Sequence, residues 1–264
     1  VIQWATGGVG RASIEGIVSA YIQANPQQQT VATLSTGQSV PSDSPARIED
    51  VIRNYLLTQP EIMRDVFAAL ETKEELQRSA KFKTTMEENS EQLFGGTKGL
   101  EFGNPDGDVT LVEFFDYNCA FCKRALKDMK ALLETDPNLK IIMKEYPILS
   151  EGSAEAARVS LAVAKQGRYI EFHKKLLGGS GQANGAKALR VAEELGMDMA
   201  QIRKDMGSPE VQAEIDVTQQ LASDLGVRGT PAYVIGNELI PGAVGLASLR
   251  ASIKSTREAA LASN

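Results

Sequence analysis

The chain has 264 residues, with 34 acidic against 28 basic side chains and a formal net charge of −6. That length suits one large domain or a domain with an appendage, and an acidic balance without a Lys/Arg cluster excludes a nucleic-acid-binding surface, which needs clustered cations to neutralise phosphates. There is no run of apolar residues long enough to span a bilayer as a helix, so no integral membrane segment is expected.

The opening Val1-Ile-Gln-Trp-Ala-Thr-Gly7-Gly-Val-Gly10-Arg-Ala reads as a strand, a glycine turn and a helix start. Residues 1–20 thereby resemble the beginning of a Rossmann NAD(P)-binding unit, with Ala5 where the first Gly of G-x-G-x-x-G usually stands. A working unit needs a complete βαβ and an acidic residue about 20 positions further on. Here the sequence instead runs into Gln27-Gln28-Gln29 and a Thr/Ser/Gly/Pro-rich stretch to Pro45. The segment is a motif fragment without its fold, so no nucleotide cofactor is expected, and residues 1–45 are read as an irregular segment and linker. Val1 is followed by neither a basic n-region nor a clean apolar h-region: either an export signal has been lost or the start is not the true one.

Ser44-Pro45 supplies an N-cap followed by proline at the first helical position. Ile48, Val51, Ile52, Tyr55 and Leu56 then share one helical face, Pro60 interrupts, and Ile62, Val66, Ala69 and Leu70 follow in a second helix. Beyond Leu70 the pattern becomes sparse and charged to Glu88, with Leu76 and Phe82 as later anchors. Residues 46–90 therefore form a helical arm. Two readings stay open: helices packed on the body of their own chain, or a homo-oligomerisation element over residues 46–80. Burying about eight such side chains contributes roughly 1.5–3 kcal/mol each, against an association cost of roughly 4–15 kcal/mol, so an oligomer is affordable.

From Gln92 onward the pattern changes. Leu100 and Phe102 predict a short strand, Asn104-Pro105-Asp106-Gly107 a turn, and Val109 to Phe115 a central strand. That strand leads through Asp116-Tyr117-Asn118 into a helix with Cys122, Ala125, Leu126, Met129, Leu132 and Leu133 at helical spacing. Both cysteines of the chain, Cys119 and Cys122, thus sit where a strand hands over to a helix N-terminus. Unpaired backbone N–H groups and the helix dipole favour an anion there, so Cys119 is the expected nucleophile. Cys122, one turn on along the same face, can close on it as a disulfide and is the expected resolving thiol. A tetrahedral zinc site would want four N or S ligands, and beyond this pair the chain offers only His173, so no metal is expected. Two unrelated buried cysteines acting as small hydrophobes are the remaining alternative to a redox pair. Glu113, an acidic residue inside Leu-Val-Glu-Phe-Phe, is expected in the sheet interior with a raised pKa, or else at a strand end reaching water.

Leu139 to Tyr146 reads as the next strand, closed by Pro147. Residues 151–166, 168–177, 186–196, 198–206 and 209–225 then carry helical spacing punctuated by glycines, which makes about 151–225 a helical insertion. His173 within it is read as a packing or surface histidine. The glycines at 178, 179, 181 and 185 make a loop without the lysine of a phosphate cradle. Gly229-Thr230-Pro231 introduces a hairpin, Ala232 to Ile235 and Glu238 to Ile240 around Gly236-Asn237, and Leu246, Leu249 and Ile253 mark the last helix.

The run Phe114-Phe115-Asp116-Tyr117-Asn118-Cys119-x-x-Cys122-Lys123-Arg124, preceded by Gly103-Asn104-Pro105-Asp106-Gly107-Asp108 and followed by Val227-Arg228-Gly229-Thr230-Pro231-Ala232, resembles the DsbA-like thiol:disulfide oxidoreductases over residues 46–264. The resemblance implies an α/β thioredoxin fold with an inserted helical subdomain, occupying residues 91–264 behind the N-terminal arm. It also implies a cis-proline loop at Thr230-Pro231 that faces the redox pair and binds substrate chains, and proton relay from Glu113 to Cys122. The implied activity is dithiol–disulfide exchange on thiol- or disulfide-containing protein substrates, as oxidoreductase or isomerase, with a redox partner protein, in the periplasm. Strongly oxidising relatives carry a histidine between the cysteines; Ala120-Phe121 offers no side-chain donor, so a weaker oxidant is expected. Some relatives with a similar N-terminal extension are oligomeric isomerases. The alternative is a non-catalytic thioredoxin-like binding or oligomerisation module.

Overall fold

The computed structural model describes residues 45–95 and 99–262, so the Rossmann-like opening and the linker before Pro45 lie outside the described residues. The chain divides into two compact units, with the division between Glu75 and Leu76. In the first unit, helix α1 (Pro45–Thr58) ends at the Gln59-Pro60 break, where the Ile62 and Met63 N–H groups donate to the Gln59 and Pro60 carbonyls and open helix α2 (Glu61–Glu88). Val51, Tyr55, Leu56 and Ile62 of the expected stripe are half-buried, while Ile48, Ile52, Val66 and Leu70 are exposed, as are Leu57, Met63 and Phe67. Leu76, expected as an anchor, is instead 67% exposed; α2 anchors by Met86, with Phe82 packed beside it. Lys and Glu surround both residues in sequence, so hydropathy alone ranks Leu76 and Met86 alike.

The second unit is built on a five-stranded sheet in the order β1-β3-β2-β4-β5, formed by Glu101–Gly103, Val109–Phe115, Leu139–Glu145, Ala232–Ile235 and Glu238–Pro241 as β1 to β5. β2 and β3 pair in parallel, with Val109 opposite Leu139 and Phe115 opposite Glu145; the other three pairs are antiparallel. Parallel neighbours need a crossover, and helix α4 (Ala120–Thr135) supplies it. Successive residues of a strand point to opposite faces. On one face Leu111, Phe115, Ile141, Met143 and Tyr233 pack against α4, the insertion and the last helix, α10 (Leu246–Ala262). On the other, Val112, Phe114, Ile142 and Val234 meet Met86, Leu93 of helix α3 (Ser90–Phe94), and Leu221, Leu225 and Val227. Coverage of both faces explains why β2 reads as a continuous apolar run.

The insertion holds five helices: α5 (Glu151–Ala164), α6 (Tyr169–Gly178), α7 (Gly185–Glu194), α8 (Met199–Asp205) and α9 (Pro209–Asp224). Four of their starts are set by side-chain caps, in which Ser150, Asn184, Asp198 and Ser208 accept from the N–H three residues on. At the sheet's far end Arg257 of α10 forks onto Asp108 at 2.7 Å and Asp136 at 3.0 Å, joining the entry of β2 to the C-cap of α4.

Gly103 closes β1 at φ +79°, where an added Cβ would lie 2.3 Å from the Leu139 carbonyl oxygen. Gly167 has a similar φ of +74° but open space around it. Gly167→Ala should cost about 1–2 kcal/mol, the penalty of a left-handed backbone. Gly103→Ala should cost about 3 kcal/mol or more, because the β1–β3 ladder must also shift. Urea denaturation of the two variants measures the difference.

Candidate active site

The corner between β2 and α4 is shaped by Asp116. Its buried carboxylate accepts four hydrogen bonds, from the N–H groups of Asn118 (2.7 Å), Ile148 (2.9 Å) and Leu149 (3.0 Å) and from the Ser153 hydroxyl (2.8 Å). These tie the end of β2 to the loop after β3 and to α5. The Asp116 carbonyl meanwhile accepts from the Cys119 N–H at 3.0 Å, which turns the chain into the helix. Asn118 extends the frame: its amide donates to the Ala183 carbonyl at 2.9 Å and accepts from the Ala183 N–H at 2.7 Å. Tyr117 points inward, its hydroxyl 2.7 Å from Ser160 Oγ and 3.3 Å from His173 Nδ1. His173 is fully buried against the edges of Phe102 and Phe115, and burial pushes its pKa down to about 3, so it packs as a neutral ring.

Cys119 is the N-cap of α4, in extended conformation, and its sulfur accepts from the Cys122 N–H at 3.4 Å. As a thiol it donates to the Thr230 carbonyl at 3.1 Å. The Cys119 pKa is pulled down to about 5, first by the hydrogen bond from the Cys122 thiol, against the cost of burial, then by Thr230 and the N–H groups of Cys122 and Phe121. Thr230 acts in two opposed ways: its carbonyl, accepting from the thiol, favours the protonated form, whereas its side chain pulls the Cys119 pKa down. Cys122 is fully buried, and burial together with the neighbouring Cys119 sulfur and Glu113 pushes its pKa far up. Both cysteines are free thiols. The Thr230-Pro231 peptide is cis, and this loop leads into β4 beside the pair.

Glu113 lies in the sheet interior, 1% exposed, and both carboxyl oxygens lack a hydrogen-bond partner. Burial and the Cys119 charge raise its pKa to about 8, so it holds its proton at neutral pH. It lines a narrow crevice with no room for a water, together with Leu111, Ala125, Met129, Leu132, Tyr233 and Leu249, and stands directly across the ladder from Tyr233. The structure therefore brings Cys119, Cys122, Glu113, Thr230 and Pro231 into one place. The bracing roles of Asp116, Asn118 and Ser153 escape sequence reasoning, since the first two stand in what reads as an ordinary turn at a strand end and the third in the first turn of a helix 37 residues beyond Asp116. Phe121, between the cysteines, is 54% exposed, with the Arg124 guanidinium 4.2 Å over its ring.

Residues 110–254 match the model of the DSBA-like thioredoxin domain, and residues 46–77 that of the copper resistance protein ScsC N-terminal domain. Neither match reaches the Rossmann-like opening. A thioredoxin-like oxidoreductase from Silicibacter pomeroyi DSS-3 is 45% identical, over 64% of this chain and 98% of that one, with a TM-score of 0.62. The thiol-disulfide exchange protein alpha-DsbA2 from Wolbachia pipientis is 30% identical, over 68% and 97%, also with a TM-score of 0.62. Among curated proteins, the Na(+)/H(+) antiporter NhaA 3 of Salinispora tropica is 28% identical over 163 residues, which are 58% of this chain and 24% of that protein. This chain thus spans about a quarter of the length of the curated relatives it matches.

The lowered pKa has a direct readout. Alkylation of the reduced protein followed against pH should show one reactive thiol with a midpoint near about 5, against about 8.5 for a free cysteine. Peptide mapping should place the label on Cys119 and leave Cys122 unmodified in the folded state.

Proposed function

Because the chain belongs to the DSBA-like thioredoxin domain family, we propose that it is a thiol:disulfide oxidoreductase that exchanges disulfides with protein substrates through Cys119 and Cys122. The observation that carries this reading is the unequal placement of two free thiols three residues apart: Cys119 caps the helix N-terminus and accepts from the Cys122 N–H, which lowers its proton affinity, while Cys122 is fully buried, which raises its own. Cys119 thiolate attacks one sulfur of a substrate disulfide; a Cys119–substrate disulfide forms, the substrate S–S bond breaks, and the other substrate sulfur leaves as a thiolate that takes a proton. Cys122 then loses its proton and attacks Cys119, releasing the second substrate thiol and leaving the protein oxidised. The reverse sequence donates the disulfide. Stopping after the first step and returning it to a different substrate sulfur is isomerisation.

Glu113 is proposed to receive the Cys122 proton. Its buried carboxyl has no hydrogen-bond partner, its charge is felt at Cys122, and a pKa of about 8 suits it to give and take a proton around neutrality. Thr230 and Pro231 are proposed to pair with the substrate chain beside Cys119. The remaining roles in the reading are a redox partner protein and residence in the periplasm, where an oxidising milieu sustains such exchange. Each unit by which the Cys119 pKa falls favours the reduced form by about 1.4 kcal/mol. A value of about 5 lies between thioredoxin, about 7, and the strong oxidant DsbA, about 3.5, and supports an intermediate potential. A non-catalytic binding module is the competing reading, and nothing in such a module would call for a thiol ionised at neutral pH.

Three variants test the chemistry. Cys119→Ser should abolish exchange, Cys122→Ser should accumulate mixed disulfides with substrate, and Glu113→Gln should slow the resolving step by roughly 10²-fold while sparing the first attack. Turnover by the Cys119 variant would discard the mechanism.

The arm is proposed to self-associate through its exposed stripe, presenting several redox sites to one misfolded substrate. Support comes from the exposure of Val66, Phe67 and Leu70 on α2 and from the ScsC-type match of residues 46–77. In the full chain, Val66→Glu with Leu70→Glu should convert an oligomer to a monomer in light scattering and depress refolding of scrambled ribonuclease. A monomeric unmodified chain would end this part of the proposal.

A further inference from the structure

The loop between α6 and α7 borders the nucleophile, because Asn118, the residue before Cys119, is hydrogen-bonded both ways to Ala183. Two lysines converge on the same loop. Lys123 Nζ, from the residue after Cys122, donates to the Gly181 carbonyl at 3.1 Å and the Gly179 carbonyl at 3.5 Å. Lys187 Nζ, from the first turn of α7, donates to the Ser180 carbonyl at 2.6 Å and to the same Gly181 carbonyl at 3.5 Å. Two ammonium groups sharing one neutral oxygen repel each other, and among the described residues neither is ion-paired. Arg190, one turn further along α7, adds a third charge felt at Lys187, and the combination of partial burial with these two cations lowers the Lys187 proton affinity. The carboxylate of Glu155, from α5, accepts instead from the Gly185 N–H at the start of α7. In a chain of net charge −6, neither α4 nor α7 carries an acidic residue in its first turn, whereas Lys123, Arg124 and Lys187 stand near the two helix starts and Arg190 follows on the next turn of α7.

An ammonium has three N–H donors, and each lysine spends two on carbonyls, leaving one apiece beside the site. We infer that Lys123 and Lys187 form a subsite for a carboxylate of the thiol or disulfide substrate, so that the preferred substrates carry negative charge next to the reacting sulfur. The inference rests on the exchange activity proposed above and specifies its substrate class. A carboxylate there would supply the missing counter-charge for both lysines and would bring its disulfide up to Cys119 by attraction before any close contact forms. The chemical step is unchanged: two electrons pass from the dithiol to the substrate disulfide, which leaves as two thiols.

The test uses the reduced full chain and three small disulfides: oxidised glutathione, which is anionic, hydroxyethyl disulfide, which is neutral, and cystamine, which is cationic. Each rate is divided by the rate of the same disulfide with 2-mercaptoethanol, which removes differences in intrinsic reactivity. Glutathione disulfide should be favoured over the neutral compound by about tenfold at low ionic strength and cystamine disfavoured, both contrasts shrinking as salt rises. Lys123→Gln and Lys187→Gln should each reduce the glutathione preference about threefold, and Lys187→Glu should remove it. Lys254→Gln, on an exposed ion pair with Glu258, should leave it intact. Because each comparison is a ratio within one protein, a change in Cys119 reactivity cancels. Equal normalised rates for the three disulfides, or a preference that survives the double Lys123→Gln/Lys187→Gln variant, would overturn the subsite. Failure to react with any of the three would remove the exchange activity itself, and the subsite with it.

Discussion

A sulfur atom caps helix α4. An N-cap oxygen normally accepts from the orphan N–H groups of the first turn; here Cys119 sulfur takes that place and accepts from the Cys122 N–H. Sulfur accepts poorly as a thiol and well as a thiolate, so the helix start and the ionised cysteine stabilise each other. The surroundings serve this one contact. Asp116 sets the turn that delivers Cys119 to the helix end, Asn118 locks the insertion loop beside it, and Thr230 closes over the sulfur from the far side. The proposed chemistry depends on that arrangement surviving each change of oxidation state, which is why the corner is braced by so many polar contacts.

Two buried carboxylates three residues apart show how environment divides labour. Asp116 meets four donors, and its burial is compensated by hydrogen bonds that connect β2 to the loop after β3 and to α5. Glu113 meets none, so burial acts on it unopposed and keeps the proton on. The first is architecture, and the second is placed for proton transfer. A comparable contrast occurs on β3, where Lys144 and Glu145 are adjacent and both buried but face opposite sides of the sheet. Lys144 reaches the Gln92 and Gly95 carbonyls at the end of α3, where a cation suits the carbonyl end of a helix. Glu145 enters the aromatic cluster around Tyr117, Tyr169 and Ser160, and burial there raises its pKa.

Local patterns made much of this legible. The apolar run of β2, the helical spacing of α4, the glycine-punctuated insertion and the hairpin after Pro231 all rest on interactions between near neighbours. Their limits fall within one or two residues of those read from periodicity, with two of the starts moved by the caps Asn184 and Asp198. The cysteine pair was visible because its spacing and its position at a strand-to-helix junction are themselves local. Leu76 and Met86 were not separable, since which of two apolar residues on a charged helix is covered depends on a surface contributed by residues far along the chain. The burial of Lys144 within an amphiphilic strand was hidden for the same reason: its partners lie some fifty residues earlier, in α3 and the turn after it.

By itself the amino-acid sequence determined the element order, the α/β class, the position of the cysteine pair and that of the acidic residue inside β2. These follow from backbone periodicity, capping chemistry and the placement of thiols at a helix start, all of which act within a few residues. Only the tertiary structure decided how far those thiols differ. The Cys119 sulfur is tuned by Thr230, 111 residues away, and by the neighbouring Cys122 thiol, whose own proton is retained because the closed core excludes water. The lysines beside the site likewise meet across a loop that Asn118 pulls in from 65 residues away. Burial, exclusion of water and convergence of charges belong to the folded chain, because they arise from groups that become neighbours only when the sheet and the insertion close around the corner between β2 and α4.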